Sequence, residues 1–526
     1  LGVSRVVLLA GRTLQSLARL HFDLAPLLAV DHRIRLRYAL HGDSDRRPHA
    51  ERHALKLGIP LTPWKIAIGD HPDLVVSASA DPELYEADAP LALIPHGATY
   101  NRVLDGLSGA AGTAREQVLG PGGQVPALMA MPGRAAVGQL ATDCPEALAS
   151  ARVTGDLCME RMRTSTLMRR VYREALGVGP HQRLVVVSST WGPYSLTAAD
   201  RSLPEHLLSR LPADEFRVAY VPHPNIDADH GGMLLAYLRP ALRNGLIMVP
   251  PEEGWRAVLV AADCVVGDSG SVTFYAANLG VPVLLAAFAF EEMAAGSPQE
   301  AFGRETAWLR REDDPAAQLR AAMRRGPVRS ASLDAAWTEE SPGPAALILA
   351  RLYELLDLPG ERVEPELLAP PLPIRDSGPL RAWHCDLALE RGAGPTRVVG
   401  VRMPASRPVA EGLSEGAHLV AAQSCLVRAL RADAEVLVFH DAVVSMEEVG
   451  ALASSVFADH RGCALVSARV GADEGVVVFR DGRRFRFGCG GALFDVVPSA
   501  VLLVGAAGPV ALRLGEAEAL VEVVEV

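Results

Sequence analysis

The sequence predicts an α/β protein with two Rossmann-like domains that face a cleft, followed by a C-terminal α/β accessory domain. Three observations lead to this expectation. Short apolar runs alternate with helical patterns in two separate series, which is typical of βαβ units and parallel sheets. The chain of 526 residues exceeds what one hydrophobic core usually holds. A proline-rich stretch separates the second series from the rest of the chain.

The first series supplies the N-terminal domain, residues 1–150, expected to bind the acceptor. Its predicted elements are, in chain order, a strand at 6–9, a helix at 13–28, and strands at 34–40, 74–76 and 91–94. Most of these strands end in polar or glycine residues. The Gly- and Ala-rich segment 105–150 gives no clear prediction of secondary structure.

The second series supplies the nucleotide-donor domain, residues 151–358. Its predicted strands are, in chain order, 184–187, 217–220, 246–249, 264–266 and 281–285. A helical pattern between Pro344 and Leu356 closes this series. Ligands of such sheets bind beyond the carboxyl ends of the strands, so the residues that follow each strand are the candidate site residues.

The last part of the chain is a linker and an accessory domain. Residues 359–379 are rich in proline and are expected to form a semi-rigid linker. Residues 380–526 contain valine-rich strands, and Asp481-Gly482 predicts a hairpin turn. This domain is expected to serve acceptor recognition or homodimer formation.

Composition narrows the class of protein. The net charge of −11 is spread along the chain, which argues against a nucleic-acid binder. The seven cysteines include no CxxC pair, so we expect reduced thiols in a cytoplasmic protein, without a metal or cofactor. No apolar run approaches the ~20 residues that span a bilayer. The opening residues, 1–10, are typical of a first strand rather than of a signal peptide.

The stretch Asp268-Ser269-Gly270-Ser271 stands between a predicted buried strand and a helix. A helix N-terminus has unpaired N–H groups and a partial positive charge. Gly270 allows a ligand to approach the backbone, and the two hydroxyls add donors. This pattern favours a cradle for the phosphates of a donor substrate. The alternative is an ordinary helix N-cap, because Ser and Asp cap helices widely.

Two histidines follow predicted strands in the two domains. His223 lies between two prolines and could donate to a phosphate oxygen as a leaving group gains charge. His96, followed by Gly97, would face it from the opposite wall and accept the proton of an incoming hydroxyl. Gly97 and Asn101 are candidates for acceptor binding. The alternative for each histidine is a structural role in its loop.

A fourth strand end carries Ser188, Ser189, Thr190 and Trp191. Small hydroxyls and an aromatic ring suit the phosphates and base of a nucleotide, or a sugar. These hydroxyl residues are therefore candidates for donor binding. For Trp191, packing at the domain interface is an equal alternative.

Taken in chain order, these motifs resemble the CDP-glycerol glycerophosphotransferase family of wall-teichoic-acid type polymer enzymes. The matching stretches are His96-Gly97, VTGD at 153–156, SSTW at 188–191, HPN at 223–225, and DSGSV at 268–272 before LGVPVLL. The resemblance covers roughly residues 1–355. It implies the GT-B fold and transfer of a glycerol-phosphate or glycosyl group from a CDP- or UDP-linked donor to a hydroxyl acceptor. His96 would be the base, His223 would assist at the phosphate, and Ser269 and Ser271 would bind the donor phosphates.

No metal ion is required in this scheme, because a helix dipole and His223 can stabilise the departing phosphate. The stretch also resembles the DSGG of UDP-N-acetylglucosamine 2-epimerases, which share the fold. Those enzymes carry paired carboxylates just afterwards, where Thr273, Phe274 and Tyr275 stand here. An epimerase or hydrolase of a UDP-sugar, and a non-catalytic nucleotide-sugar-binding protein, are the alternatives.

The segment 161–173 contains five arginines. Arg169, Arg170 and Arg173 could share one helix face and contact a membrane surface or a polyanionic acceptor. A solvated helix side is the favoured interpretation.

Overall fold

The computed structural model describes residues 4–43, 45–337, 341–359, 365–374, 380–390, 394–405, 413–439 and 445–526, with only the backbone at 492. Parts of the predicted linker, 360–364 and 375–379, lie outside the described residues. The predicted fold class is confirmed: two Rossmann-like domains with parallel sheets face a cleft, as in the GT-B arrangement, and a third domain follows.

The N-terminal domain is built on a six-stranded parallel sheet. Its strands are β1 (Arg5–Gly11), β2 (Ile34–Leu40), β3 (Leu74–Ser77), β4 (Leu91–Leu93), β5 (Leu128–Met131) and β6 (Ala151–Val153). Their order is β2-β1-β3-β4-β5-β6. The helices are α1 (Leu14–Arg19), α2 (Ala25–Ala29), α3 (Arg47–Lys56), α4 (Trp64–Gly69), α5 (Arg115–Val118) and α6 (Arg134–Asp143). A π-helical segment at 20–24 interrupts the predicted first helix.

The second domain has a five-stranded parallel sheet of order β11-β10-β7-β8-β9. These strands are β7 (Arg183–Ser189), β8 (Phe216–Pro222), β9 (Ile247–Met248), β10 (Cys264–Gly267) and β11 (Val283–Leu285). Its helices are α7 (Leu157–Thr164), α8 (Arg169–Ala175), α9 (Leu196–Ala199), α10 (Leu203–Arg210), α11 (Pro224–Asp229), α12 (Leu234–Tyr237), α13 (Arg239–Arg243), α14 (Trp255–Ala261), α15 (Ser271–Asn278), α16 (Pro298–Glu305), α17 (Pro315–Arg325) and α18 (Ala331–Ala336). Most of the strands are buried on both faces, which is why they read as continuous apolar runs.

The next helix, α19 (Pro344–Leu355), crosses back to the first domain. Ile348 and Leu352 belong to the same buried cluster as Leu24 and Leu28, which lie beside β2. The sequence alone assigns this helix to the second domain. Its periodicity shows that one face is apolar but not which core receives that face.

The C-terminal domain is a closed mixed barrel of order β12-β13-β19-β20-β18-β17-β16-β15-β14. Its strands are β12 (Ala382–Glu390), β13 (Thr396–Pro404), β14 (His418–Ala422), β15 (Val436–Phe439), β16 (Leu465–Arg469), β17 (Glu474–Phe479), β18 (Arg484–Gly488), β19 (Gly508–Leu514) and β20 (Ala517–Glu525). The helices are α20 (Arg428–Asp433), α21 (Met446–Asp459) and α22 (Val497–Val504). The predicted hairpin forms between β17 and β18, and Arg402 on β13 pairs with Asp214 of the second domain at 2.5 Å.

All seven cysteines are buried and unpaired. Within the described part of the chain, none of the helices combines the length and the hydropathy needed to cross a bilayer.

Candidate functional site

A cleft of about 380 Å³ lies between the carboxyl ends of the two parallel sheets. The segments that follow β1, β3 and β4 form one wall, and those that follow β7, β8, β9 and β10 form the other. Because parallel strands all end at the same edge, loops distant in sequence meet here. Except for Asp268, every site residue predicted from the sequence lines this cleft.

His96 follows β4 and lies on the N-terminal wall with its ring accessible from the cleft. Its Nδ1 lies 2.8 Å from the carbonyl oxygen of Ala78. A carbonyl only accepts, so Nδ1 carries the hydrogen and Nε2 keeps a free lone pair. The surrounding protein atoms desolvate the ring and lower its pKa, although the bond to Ala78 opposes this shift. His96 is therefore a neutral base at physiological pH.

His223 lies on the opposite wall, at the end of β8, where its side chain caps α11. Its Nδ1 accepts a hydrogen bond from the backbone N–H of Asn225 at 3.2 Å. Burial, together with the positive charges of Arg102 and Arg46, lowers the pKa of His223 to about 3. The neutral ring therefore carries its hydrogen on Nε2. The side-chain nitrogen of Gln15, on α1 of the other domain, lies 3.1 Å from that nitrogen. Because both groups are then donors, a hydrogen bond between them requires the Gln15 amide to turn so that its oxygen accepts from Nε2–H.

The stretch 269–271 forms the start of α15. Gly270 is the N-cap residue, and no side chain caps the helix, so the ordinary capping expected as the alternative is not what the structure has. Ser269, Gly270 and Ser271 all line the cleft. An uncapped N-terminus with its partial positive charge and two adjacent hydroxyls can hold an anionic group.

Asp268 does not line the cleft, unlike Ser269, Gly270 and Ser271, which follow it in the chain. Its carboxylate is completely buried and accepts backbone N–H groups from Thr190 at 2.8 Å, Leu196 at 2.8 Å and Gly270 at 2.9 Å. Burial raises the pKa of Asp268 to about 6 against the effect of these hydrogen bonds. Asp268 therefore ties together the loops after β7 and β10, and its carboxylate does not reach the cleft.

The hydroxyl residues at the end of β7 differ from one another. Ser189 is buried, and its hydroxyl donates to the Thr190 carbonyl at 2.9 Å and accepts from Thr197. Its hydrogen-bonding capacity is therefore used inside the protein. Ser188 and Thr190 also line the cleft.

Gly97 and Asn101 lie where the two walls touch. A methyl group on Gly97 would come within 2.7 Å of the Ser271 hydroxyl oxygen, so a side chain at this position would collide with the opposite wall. Asn101 donates to the Gln299 side-chain oxygen at 2.8 Å, and the Gln299 amide donates in turn to the Ser269 carbonyl. Asn101 thus braces the loop that carries Ser269.

Trp191 is in contact with two guanidinium groups of the first domain. Arg46 lies 4.3 Å and Arg102 lies 4.6 Å from the ring centre. Arg102 also pairs with Glu292 at 2.7 Å, and Arg46 pairs with Asp229 at 3.1 Å. Both predicted settings therefore apply to Trp191, which lines the cleft and packs across the interface.

A buried ionic cluster lies beneath the cleft and joins the two domains. Asp23 pairs with Arg19 at 3.1 Å, with Arg256 at 2.8 Å and with Arg161. Arg19 also pairs with Asp156 at 2.5 Å. Burial would raise the pKa of Asp23, but the three guanidiniums outweigh it and lower the pKa to about 2. The cluster is therefore a fixed array of charges.

The arginines of the 161–173 segment do not share a solvated face. Arg161 is buried in this cluster, and Arg169 and Arg173 both pair with Asp263, at 2.5 and 2.7 Å. The expectation of a solvated side holds for Arg170, whose side chain is 88% exposed, and is wrong for Arg173, which is 14% exposed. Arg169 is partly exposed, at 39%. The error arises because helical spacing does not show that acidic partners from other elements cover the face.

Sequence reasoning missed several residues of the cleft, chiefly Gln15, Arg102 and Gln299. Gln15 could have been found, since Arg12 to Gln15 follow a predicted strand just as the other motifs do. Gln299 lies in the first turn of α16, and no local pattern marks it.

No protein-family model and no curated protein matches the chain. Solved structures to which it is similar include the wall teichoic acid polymerase TagF soaked with CDPG, with a TM-score of 0.43, 12% identity, and coverage of 67% of this chain and 88% of TagF. UDP-GlcNAc 2-epimerase from Neisseria meningitidis, bound to UDP-GlcNAc, gives a TM-score of 0.40, 14% identity, and coverage of 66% and 100%. The S. aureus MnaA–UDP structure gives a TM-score of 0.41 and 11% identity, with coverage of 69% of this chain and 100% of MnaA. The wall teichoic acid polymerase TagF is thus among the solved structures to which the chain is similar.

Proposed function

We propose that the chain is a transferase that moves a glycerol-phosphate or glycosyl group from a nucleotide-activated donor to a hydroxyl acceptor. The observation that carries this proposal is the pair of histidines on opposite walls of the cleft. The Nε2 of His96 can accept a proton, and the Nε2–H of His223 can donate a hydrogen bond to a developing negative charge. A transfer to a hydroxyl needs one group of each kind.

The reaction would begin with the acceptor hydroxyl at the N-terminal wall. His96 takes the proton from the acceptor hydroxyl as the hydroxyl oxygen forms the new bond to phosphorus or to the sugar carbon. The bond from that centre to the bridging oxygen of the donor breaks, and the nucleotide phosphate leaves with the electron pair. The charge that develops on this oxygen is stabilised by the N–H of His223 and by the start of α15.

Acidic side chains are poor candidates for the base. Among the described residues that line the cleft, Glu252 is the acidic one. Its Oε1 lies 2.8 Å from His53 Nδ1 and 2.5 Å from Lys56 Nζ, contacts that outweigh burial and lower the pKa of Glu252 to about 2. At the position after the serine stretch, Thr273 and Phe274 are fully buried. These facts favour transfer with a histidine base over the carboxylate chemistry of an epimerase.

The experiment combines ligand binding with product analysis. Thermal unfolding of the purified chain is measured with CDP-glycerol, CDP-ribitol, UDP-sugars, GDP-sugars and the free nucleotides. A ligand at 100 times its Kd adds about 2.7 kcal/mol to the free energy of unfolding. We expect one nucleotide family to stabilise the chain, and a Ser269→Ala/Ser271→Ala double variant to lose that effect. Ser209→Ala, remote from the cleft, is the matched control.

Turnover then distinguishes the three functions. A transferase releases nucleotide and forms product when a hydroxyl acceptor is added. An epimerase or hydrolase forms product without the acceptor, and a binding protein forms none with any acceptor tested. Stabilisation by no nucleotide at all would contradict the donor site itself.

A further inference from the structure

A second group of polar side chains lies across the domain interface, next to the cleft. His49 and His53 are one helical turn apart on α3 of the first domain, and Asp227 lies on α11 of the second. One nitrogen of each histidine and one carboxylate oxygen of Asp227 all lie within 4.8 Å of one another. The two imidazole ring centres are 4.2 Å apart. This group combines two ligand types that bind divalent transition metals.

The histidines are buried but incompletely bonded. His49 is 5% exposed and His53 is 8% exposed. The Nε2 of His49 has no hydrogen-bond partner within the part of the chain that the structure describes. Buried polar atoms normally have partners, because an unsatisfied one is costly. A metal ion coordinated by this nitrogen would satisfy it.

The carboxylate of Glu252, which lies behind the group, gives a second and independent indication of metal binding. The Nδ1 of His53 lies 2.8 Å from the Oε1 of Glu252, so its N–H donates to that carboxylate and Nε2 stays free as a ligand. Metal-binding histidines usually donate their second N–H to a carboxylate in this way. The Oε2 of Glu252 is buried and has no described partner. Lys56 pairs with Glu252 at 2.5 Å and limits the negative charge of the group.

We propose that His49, His53 and Asp227 bind one divalent transition-metal ion, of which Zn²⁺ is the best match to a ligand set of two imidazoles and a carboxylate. No metal is predicted from the sequence, although His49 and His53 have the H-x₃-H spacing of ligands on one helix face. The ion joins α3 to α11, so it holds the two walls of the cleft together. Because α11 starts directly after His223, the ion also fixes the helix that His223 caps.

A comparable group elsewhere in the first domain has carboxylates that are already bonded. His41, Asp81 and Glu83 are also close together. The carboxylate of Asp81 pairs with Arg12 at 2.8 Å, and that of Glu83 accepts the Gly42 N–H at 2.6 Å. Both ring nitrogens of His41 are buried without a partner in the described part of the chain, so an unbonded buried histidine alone does not mark the proposed site. The His41 group is therefore an internal control that has the unbonded histidine but no free carboxylate.

The test is metal binding by the purified full chain without an affinity tag, after removal of metals with a chelator. Zn²⁺ and Co²⁺ are titrated by calorimetry, and the visible absorption of bound Co²⁺ reports inner-sphere ligands. We expect one site, a raised unfolding temperature with Zn²⁺, and at least a tenfold weaker affinity in His49→Gln and Asp227→Asn. His41→Gln should keep the wild-type affinity. The same is expected of His32→Gln, which replaces an exposed histidine.

X-ray absorption of the Zn²⁺-loaded wild-type chain gives a readout that does not depend on variants. Two imidazoles and at least one oxygen ligand would support the proposal. Absence of a stoichiometric site, wild-type affinity in both His49→Gln and Asp227→Asn, or loss of binding in His41→Gln would overturn it. None of these results depends on transferase activity, so the proposed function stands or fails separately.

Discussion

His96 and His223 occupy equivalent places in two similar domains, yet their backbone partners differ. Each follows a buried parallel strand and faces the same cleft. The Nδ1 of His96 meets a carbonyl oxygen, whereas the Nδ1 of His223 meets a backbone N–H. The first contact makes Nε2 an acceptor and the second makes Nε2 a donor. One backbone group thus decides whether the same side chain can act as a base or as a hydrogen-bond donor.

The electrostatic surroundings strengthen this contrast. Burial and the charges of Arg102 and Arg46 lower the pKa of His223 to about 3. His223 therefore stays neutral and keeps its donor hydrogen throughout the physiological range. Desolvation lowers the pKa of His96 as well, while the bond to the Ala78 carbonyl opposes that shift.

Replacement of the base should have the largest effect on activity. For His96→Gln we expect kcat to fall by about 10²–10⁴-fold, because a neutral amide cannot take up the proton. Donor binding should change little, since the cradle lies on the other wall. Steady-state rates together with nucleotide affinity check this. Wild-type turnover in His96→Gln would show that the two histidines are not a base and a donor.

His223→Asn should lower kcat by roughly 10²–10³-fold, the effect of losing one donor to a developing negative charge. Asn is chosen because it remains a good N-cap for α11. The unfolding temperature should therefore stay close to that of the wild type, while His223→Ala should lower it. If Asn and Ala lower stability equally and leave kcat unchanged, His223 has only a capping role.

Gln15→Leu tests whether the contact across the cleft matters to His223. The amide nitrogen lies 3.1 Å from Nε2 of His223, and the amide oxygen accepts the Nε2 hydrogen when the amide is turned. One hydrogen bond contributes about 0.5–1.5 kcal/mol, so we expect a rate loss of about 3–10-fold. Gln139→Leu, on α6 away from the cleft, is the matched control. The loss should disappear when Gln15→Leu is measured in a His223→Asn background; a full additional loss there would contradict the link.

The pH profile should show the smallest effect. The pKa of His96 lies below its ordinary 6.5, so at pH 6.5 less than half of this residue is protonated and inactive. We expect kcat/KM to change less than twofold between pH 8 and 6.5 and to fall tenfold per pH unit at pH values well below the pKa. A profile measured with wild type and His96→Gln checks this, since the variant should lose the acid limb. An acid limb centred above pH 6.5 would contradict the lowered pKa.

The sequence indicated where the cleft lies but not how its residues are used. Strand ends are visible as breaks in apolar runs, so His96, His223 and Ser271 could be assigned to the carboxyl edges of the two sheets from spacing alone. The role of Asp268 could not, because its partners Thr190 and Leu196 come from another strand. Arg173 and α19 were misplaced for the same reason. Periodicity indicates that one face of an element is covered by other parts of the protein. Which element covers that face is decided by the tertiary structure.

The return of α19 to the first domain has a consequence for synthesis on the ribosome. The N-terminal sheet ends at residue 153, but the helix that completes its core begins at Pro344. At ~5–20 residues per second, roughly 10–40 s pass between the two. During that interval the apolar surface around Leu28 has no permanent cover, and a nascent chain stalled in the second domain presents it to chaperones. The first domain is thus translated first but completed only after the second domain has been translated.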